Sequence, residues 1–444
     1  RLPSSVFRLA SPVYRLVAMK VGIGILGGGN VGGALARKLL DDRAAIAAKT
    51  GVDLELLGVA VRNLDKPRPL GLPSSLLTDR PEELVDDTAV QLVVELMGGL
   101  EPGGELVLRA LHHGKPVVTA NKELVAARGV ELIEAAAERG VSLLFEAAVG
   151  GGIPIIRPLS ESLAGERLSR VLGIVNGTTN FILTAMAEEG SPFEETLAEA
   201  QRLGYAEADP TSDISGADAA AKAAILASLA FGTWVGGDQV HREGIGSVTA
   251  DDVRHAAELG YVPKLLAVAE ETEEGVSVRV HPSLIPRRHP LAAVRGANNA
   301  IYIEGPSIGQ LLFSGPGAGG EPTSTAVLGD VIDAARELLA GAQVAPRVRF
   351  APGRVRDIAE VETRWYLRLE VVDAPGVLAE IASVFGRHQV SIASVWQEGR
   401  GDEATLLLVT HSAAEWRHRK TIADLEGLAV VRQVAATLRV IAED

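Results

Sequence analysis

Val21-Gly22-Ile23-Gly24-Ile25-Leu26-Gly27-Gly28-Gly29-Asn30-Val31-Gly32-Gly33 is the stretch that decides the fold. Val21 to Leu26 reads as a short buried strand, and the run from Ala34 to Leu40 behind the glycines reads as a helix. Gly27, Gly29 and Gly32 satisfy G-x-G-x-x-G. The pattern supplies a tight turn, close backbone approach to a pyrophosphate and tight helix–strand packing, with the phosphates facing the helix N-terminus at Asn30 and Val31. A second strand, Leu54 to Val61, follows at a suitable distance, so the unit reads as a βαβ dinucleotide site and not as a structural glycine turn alone.

The position after the second strand discriminates between nicotinamide cofactors. An acid there hydrogen-bonds the ribose 2′-hydroxyl, whereas an arginine accepts a 2′-phosphate. This chain has Arg62, with Lys66 and Arg68 close behind. The local charge favours NADP, with NAD as the alternative; a solvated basic loop is the other reading.

Working outward, further βα units follow. Gln91 to Leu96, Pro116 to Thr119 and Val141 to Phe145 read as strands, and Glu105 to His113 and Lys122 to Arg139 as helices. Such alternation predicts an α/β fold with a Rossmann-type, doubly wound parallel sheet. Gly98-Gly99 and Thr119-Ala120-Asn121-Lys122 lie just past strand C-terminal ends, where open α/β sheets bind ligands. Lys122 is therefore a candidate active-site cation, although a lysine opening a helix is often merely solvated.

Glu146-Ala147-Ala148-Val149-Gly150-Gly151-Gly152-Ile153 closes the sheet with a carboxylate and a glycine tract. From spacing alone this is a hinge between domains; its oxygens would also suit a hard cation. Beyond it come a strand near Leu168 to Val175, helices from Asn176 through Ala187 and from Phe193 to Leu203, and a long helix from Ala217 to about Phe231. Asp218 and Lys222 are four residues apart on that last helix and share a face, with Glu207 on the loop before it. Alone, such a pair is usually a surface salt bridge. Its setting among Ala, Gly and Ile resembles a pocket wall instead.

Taken in order, GGGNVG from Gly27, ELMGG from Glu95, TANKE from Thr119, EAAVGGGIPI from Glu146, NGTTNFIL from Asn176, GYAEADP from Gly204, SGADAAAK from Ser215 and GPGAGGEPTSTAVLGD from Gly315 to Asp330 resemble the homoserine dehydrogenases. The resemblance runs from Met19 to Leu339 without a missing block. It implies NAD(P)-dependent interconversion of homoserine and aspartate 4-semialdehyde in threonine, methionine and isoleucine biosynthesis. Matched by position, it implies Glu207 and Asp218 as substrate-binding acids, Lys222 as the acid–base lysine and Lys122 as a second active-site lysine. Gly204, Gly319 and Lys122 match cofactor contacts. The Glu146 carboxylate, with the carbonyls of Val149, Gly151 and Ile153, matches a site for Na+ or a similar monovalent cation. Lys222 needs a pKa nearer neutrality to move protons in both directions. The neighbouring Lys122 and partial burial would lower it, and Asp218 would oppose them.

After Arg347 the pattern changes to strand (Trp365 to Val372), helix (to His388), two strands (Ser391 to Glu398, Glu403 to Thr410), helix (Ala413 to Leu425) and strand (Val430 to Ile441), a ferredoxin-like βαββαβ order. With DAPGVLAEIA starting at Asp373 this resembles an ACT domain. That likeness implies an effector loop of Asp373, Pro375, Gly376, Val377 and Leu378, an amino-acid effector, threonine first, and a homodimer or homotetramer. A separable module is expected, so that truncation after Arg347 leaves an active enzyme.

The expected domains are an extension at 1–18, a nucleotide-binding domain at 19–150 completed by 315–340, an α+β substrate and dimerisation domain at 151–314, a linker at 341–362 and the ACT domain at 363–444. Composition agrees with this plan. A chain of 444 residues, 47% hydrophobic and 23% charged, can bury several cores. Its net charge of −14 disfavours nucleic acid and anionic membranes as partners. No apolar run approaches the roughly 20 residues that span a bilayer, and a cytoplasmic location is expected. The absence of cysteine removes the nucleophile that an aspartate-semialdehyde dehydrogenase would need. A phosphoglycerate-type dehydrogenase would not open on its glycine fingerprint, and the intact lysines and acids argue against an inactive amino-acid sensor.

Overall fold

The computed structural model describes residues 19–64, 71–341, 343–399 and 404–441. The 1–18 extension, Lys66 and Arg68 lie outside the described residues. Six strands, β1 (Met19–Leu26), β2 (Val52–Ala60), β3 (Leu77–Thr78), β4 (Leu92–Glu95), β5 (Val117–Thr119) and β6 (Leu143–Leu144), form one sheet in the order β3-β2-β1-β4-β5-β6. Every pairing in it is parallel. Because helices cover both faces, its strands are apolar almost throughout. On one face α1 (Asn30–Asp41) contributes Leu35, Ala36 and Leu39 to a core shared with Val21, Ile23 and Ile25. On the other, α4 (Gly103–His112) and α5 (Lys122–Arg139) bury Val107, Leu111, Leu124 and Leu132 against Val93 and Val117. Between them in sequence run α2 (Arg43–Thr50) and α3 (Pro81–Asp86).

The chain order reverses between β1 and β4, and the crevice at that switch point is where such sheets take their ligand. A distant segment completes this domain. Helix α11 (Gly320–Ala340) returns from the middle of the chain and packs Val327, Val331, Ala334 and Ala335 into the same core as α1.

The middle region is built on β7 (Arg170–Ile174), β9 (Tyr261–Thr272), β10 (Gly275–Pro286), β11 (Asn298–Gly305) and β12 (Gly309–Pro316), with β8 (His241–Arg242) beside β10. Helices α6 (Gly177–Glu189), α7 (Phe193–Arg202), α8 (Thr211–Ile214), α9 (Ala217–Phe231) and α10 (Ala250–Glu258) accompany it. Alanines 219, 220, 223, 224 and 227 of α9 are all buried in the central core, so small side chains bring this helix close to the sheet. Left-handed glycines bound it on both sides, Gly216 at φ +79° and Gly232 at φ +64°.

The C-terminal part has β13 (Glu362–Val371), α12 (Val377–Arg387), β14 (Ile392–Glu398), β15 (Ala404–Thr410), a short β16 (Ala413–Ala414), α13 (Glu415–Glu426) and β17 (Val431–Val440). The sequence reading started the second helix at Ala413; there the chain first pairs with β13, and the helix opens at Glu415. A larger difference concerns separability. Ser283↔Arg439 and Leu284↔Val440 pair in parallel, which fuses the middle and C-terminal sheets into one of eleven strands. Tyr366, Leu407, Val409, Leu438 and Val440 are buried in the central core itself. The C-terminal part is therefore continuous with the middle domain's sheet and shares its core, a contact that the expectation of a separable module did not include.

Candidate active site

The glycine turn has the steric features a pyrophosphate needs. Gly27 sits at φ +110°, and a Cβ on it would lie 2.5 Å from the Leu96 carbonyl oxygen. At Gly32 a Cβ would lie 1.9 Å from the Gly27 carbonyl oxygen, so helix and strand touch through bare backbone. Gly29, which caps α1, faces open space. A Cβ on Gly320 would come within 2.9 Å of the Asn30 carbonyl oxygen, and Gly319 caps α11 at φ +119°. Two helix N-termini thus converge beside the turn, each offering unpaired N–H groups and a partial positive charge. This cradle, with Asn30 and Val31 at its rim, fits a dinucleotide diphosphate. Arg62 follows β2 and is exposed, and Gly204 lies in an exposed left-handed turn at φ +77°.

Across the crevice, α9 presents Asp218 in its first turn, where the helix dipole favours an anion. Its carboxylate is buried between two lysines. Lys222 Nζ donates to Asp218 Oδ2 at 2.7 Å and to the Val175 carbonyl at 2.7 Å, while Lys122 Nζ lies 3.1 Å from Oδ1. Burial alone would raise the Asp218 pKa; Lys222 and then Lys122, with the Asn176 amide, outweigh it and hold the group at about 2. Burial likewise pulls Lys122 down, but the Asp218 charge prevails and its pKa is raised. Lys122 is placed by α5, whose cap Asn121 accepts from Leu124 N at 3.0 Å.

Three groups that sequence reasoning left without a role complete the arrangement. Asn176 Nδ2 donates to Asp218 Oδ2 at 2.8 Å and to Asp213 Oδ1 at 2.7 Å, tying two acids together. Glu95, fully buried at the end of β4, accepts from Met97 N at 2.7 Å and from Thr119 Oγ1 at 2.5 Å. Asn121 Nδ2 holds the Gly99 carbonyl at 2.7 Å, so the loops after β4 and β5 form one frame at the switch point. Glu207 is not drawn into the cluster. Its carboxylate is exposed and bonds to none of Asp218, Lys122 or Lys222, while Thr178 Oγ1 pins its loop through the Tyr205 carbonyl at 2.7 Å.

At the glycine tract Glu146 Oε1 accepts from Ile155 N at 2.6 Å and Ile156 N at 2.8 Å, and Oε2 from Arg157 N at 2.8 Å. One lone pair on Oε2 is left over. The carbonyls of Val149, Gly151 and Ile153, all in buried residues, accept no hydrogen bond from any described residue. Buried carbonyls without partners are rare, and this oxygen set suits a hard cation.

Comparison with known proteins agrees with the geometry. Family models described as "Homoserine dehydrogenase, NAD binding domain" and "Homoserine dehydrogenase" match residues 27–146 and 154–332, and an ACT domain model matches 365–415. The homoserine dehydrogenase of Corynebacterium glutamicum is 47% identical over 94% of this chain and 95% of its own. The chain belongs to the homoserine dehydrogenase family. That of Mycobacterium tuberculosis is 48% identical over 94% of this chain and 97% of its own. The crystal structure of a homoserine dehydrogenase from Thiobacillus denitrificans superposes with a TM-score of 0.91 at 43% identity, covering 96% and 99% of the two chains. A hyperthermophilic archaeal homoserine dehydrogenase solved in complex with NADPH reaches a TM-score of 0.60 at 31% identity, covering 72% of this chain and 98% of that one. Like other homoserine dehydrogenases, this chain is a nicotinamide-dependent oxidoreductase acting on a CH–OH group. Among the described residues no helix is long and apolar enough to cross a membrane.

Proposed function

We propose that Lys222 is the proton carrier of this enzyme, that Asp218 and Lys122 set its environment, and that homoserine or aspartate 4-semialdehyde binds over them with its ammonium toward Glu207. The observation carrying this reading is the buried Asp218 carboxylate held between two ammonium groups at the mouth of the nucleotide crevice. The nicotinamide cofactor supplies the hydride acceptor or donor. As homoserine is oxidised its hydroxyl proton must leave; as the semialdehyde is reduced its oxygen must receive one. A lysine within reach of the substrate oxygen can take the proton in one direction and return it in the other, while the ionised Asp218 carboxylate orients its amine. Glu207 is exposed and lacks a charge partner in its loop, so it is free to take the substrate ammonium in a charge-assisted hydrogen bond.

The cofactor is NADP in preference to NAD, on the ground of Arg62, and the NADPH-bound archaeal relative supports that choice. Na+ or a similar cation is held by Glu146 and the free carbonyls of Val149, Gly151 and Ile153, where it would lock the hinge between the first two domains. The ACT pocket, a cavity of about 440 Å³ lined by Asp373, Gly376, Val377, Leu378 and Gln397 among others, receives threonine as a feedback effector. Gly376 at φ +96° caps α12; the Val377 N–H donates to the Ala374 carbonyl at 3.3 Å, and the N–H groups of Leu378 and Ala379 are left for a carboxylate. The enzyme works in the cytoplasm on the route to threonine, methionine and isoleucine. It assembles as a homodimer or homotetramer through its terminal strands, where Leu312 on β12 and Trp396 on β14 are 45% and 43% exposed.

Initial rates with homoserine and either NADP or NAD, with and without threonine, test these readings together. Faster turnover with NADP, and inhibition by threonine that disappears when Ala382→Phe fills the pocket, are expected. Equal use of both cofactors overturns the role of Arg62, and indifference to millimolar threonine makes the ACT part a structural element only.

A further inference from the structure

The Arg439 guanidinium, on the last strand of the ACT part, is almost fully buried and doubly engaged. Nε and Nη2 donate to the Glu415 carboxylate at 2.6 and 2.9 Å, and Nη1 and Nη2 donate to the Glu243 carboxylate at 2.7 and 2.8 Å. Its plane also lies over the Trp365 ring, 5.0 Å from the centroid. Glu415 and Trp365 belong to the same C-terminal part, but Glu243 does not. It follows β8 in the middle domain and is fixed there by its own N–H, which donates to the Val280 carbonyl at 2.7 Å.

Beyond Glu243 the contact continues through backbone toward the active site. At Gly244 a Cβ would lie 2.1 Å from the Ile214 carbonyl oxygen and 2.8 Å from Ser215 Cα. Ile245 N donates to that same Ile214 carbonyl at 2.9 Å. The Glu243 carbonyl oxygen is 3.2 Å from the Cβ position of Gly216, the cap of α9. Ile214 is one residue from Asp213 and Gly216 two residues from Asp218, the two acids that Asn176 bridges. A side chain of the ACT part is thus one carboxylate and one layer of backbone away from the acids of the substrate site.

We propose that Arg439, acting through Glu243, is a positioning residue for the Asp213–Asp218 pair. The inference rests on the assignment of Asp218 to the substrate site. The bidentate link holds the Glu243–Ile245 backbone against Ile214–Gly216, which sets where α8 ends and α9 begins, and hence the spacing of the two acids. Arginine suits the task because its planar fork can hold two carboxylates bidentately at once, a fixed geometry that the three donors of an ammonium group do not provide. It also gives the ACT pocket a contiguous route to the chemistry. β13, which pairs Trp365 with Arg439 at one end, runs on at the other into the Asp373 loop. Chains of packed and hydrogen-bonded groups of this kind carry coupling of roughly 2- to 30-fold between sites.

The test uses the full-length enzyme with its cofactor. Glu243→Gln removes one arm of the link while the Arg439–Glu415 pair stays intact, and Glu243 is 41% exposed, so the fold should survive. Expected are a 2- to 30-fold fall in kcat/KM for homoserine carried mainly by KM, unchanged NADPH affinity, and a similar fall for Arg439→Lys. Combined with Asp213→Asn, the double variant should lose less than the product of the single losses, because both act on one arrangement. Glu274→Gln, which removes the exposed partner of an ion pair with Arg356 elsewhere on the sheet, should change nothing. Wild-type kinetics in Glu243→Gln, or a loss shared equally by kcat and NADPH affinity with a lowered melting point, overturns the proposal. Asp218→Asn separates the two levels: if it is crippled while Glu243→Gln is normal, only the positioning role fails, and if it too is normal, the site assignment fails with it.

Discussion

Replacing Lys222 by alanine removes one ammonium group whose bonds are all visible, so its consequences can be worked out. The ammonium makes two charged hydrogen bonds of 2.7 Å, to Asp218 and to the Val175 carbonyl. Without it Asp218 still has Lys122 at 3.1 Å and the Asn176 amide at 2.8 Å, so no buried charge is stranded. Each lost bond is worth about 1.5–3 kcal/mol, but burying a lysine head also costs desolvation, so the net loss of stability is small and the variant should fold. The chemical step is different. Without its proton carrier it should slow roughly 100- to 10,000-fold, about 3–5 kcal/mol in barrier height. Both directions must fall by the same factor in kcat/KM, because the equilibrium constant of the reaction is untouched. The assay is NADP reduction with homoserine and NADPH oxidation with aspartate 4-semialdehyde, alongside NADPH binding followed by fluorescence, which should stay within about twofold because the lysine faces the substrate. Turnover within threefold of wild type, with the protein folded and cofactor bound, would refute the assignment.

Other perturbations follow from the same geometry. Asp218 titrates at about 2 when folded, against an ordinary 3.8; a depressed carboxyl stabilises the fold above its unfolded value and ceases to as pH falls. About 2 kcal/mol should therefore be lost between pH 4 and pH 2, and the thermal midpoint of Asp218→Asn should be flatter across that window than that of wild type. Arg62→Asp should narrow or reverse the preference for NADP, read as the ratio of kcat/KM values for the two cofactors; an unchanged ratio would mean that Arg62 does not reach the 2′-phosphate. Moving from a choline to a sodium buffer should raise the melting temperature, by about 1.4 kcal/mol of stability at ten times the dissociation constant, and Glu146→Gln should blunt that response. Glu207→Ala should raise KM for homoserine with little change in NADPH affinity, and an unaltered KM would contradict its contact with the ammonium.

Much of the nucleotide-binding fold is legible locally, because its determinants are local. Helix α5 runs from Lys122 to Arg139 as its sequence predicts, since Asn121 caps one end and Gly140 takes the left-handed conformation at the other. Helix α9 is bounded as plainly by Gly216 and Gly232. The two-residue strand β3 is too short for any periodicity to mark, and of the strand read from Val141 to Phe145 only Leu143–Leu144 pairs, as β6. Asp218 and Lys222 are visible as a pair because they share a helix face, whereas the approach of Lys122 to the same carboxylate joins two domains and has no counterpart in spacing. Asn176 shows why some site residues escape such reading. It stands where the sequence reading begins a helix, and it caps that helix, its Oδ1 accepting from Thr179 N at 2.9 Å; the same side chain spends its Nδ2 on two acids that only the fold brings near.

The fused sheet has the least trace in the sequence and the widest consequence. Two parallel pairs, Ser283↔Arg439 and Leu284↔Val440, suffice to make it. Neither strand carries a signal for this neighbour: β10 is buried on both faces from Val276 to Pro286, so its pattern does not say which partner lies at its edge, and β17 is buried on both faces only at Leu438–Val440. Once the edge is shared, Tyr366, Leu407 and Leu438 are core residues of the catalytic region as well as of the ACT part. Effector binding in the Asp373 loop would then act on a continuous sheet through β13 and β17, with no hinge between them. A rigid connection of this kind transmits small displacements only where two arrangements compete, and Glu243, 41% exposed and also in contact with His241 at 2.8 Å, is the one member of the Arg439 cluster that burial does not confine.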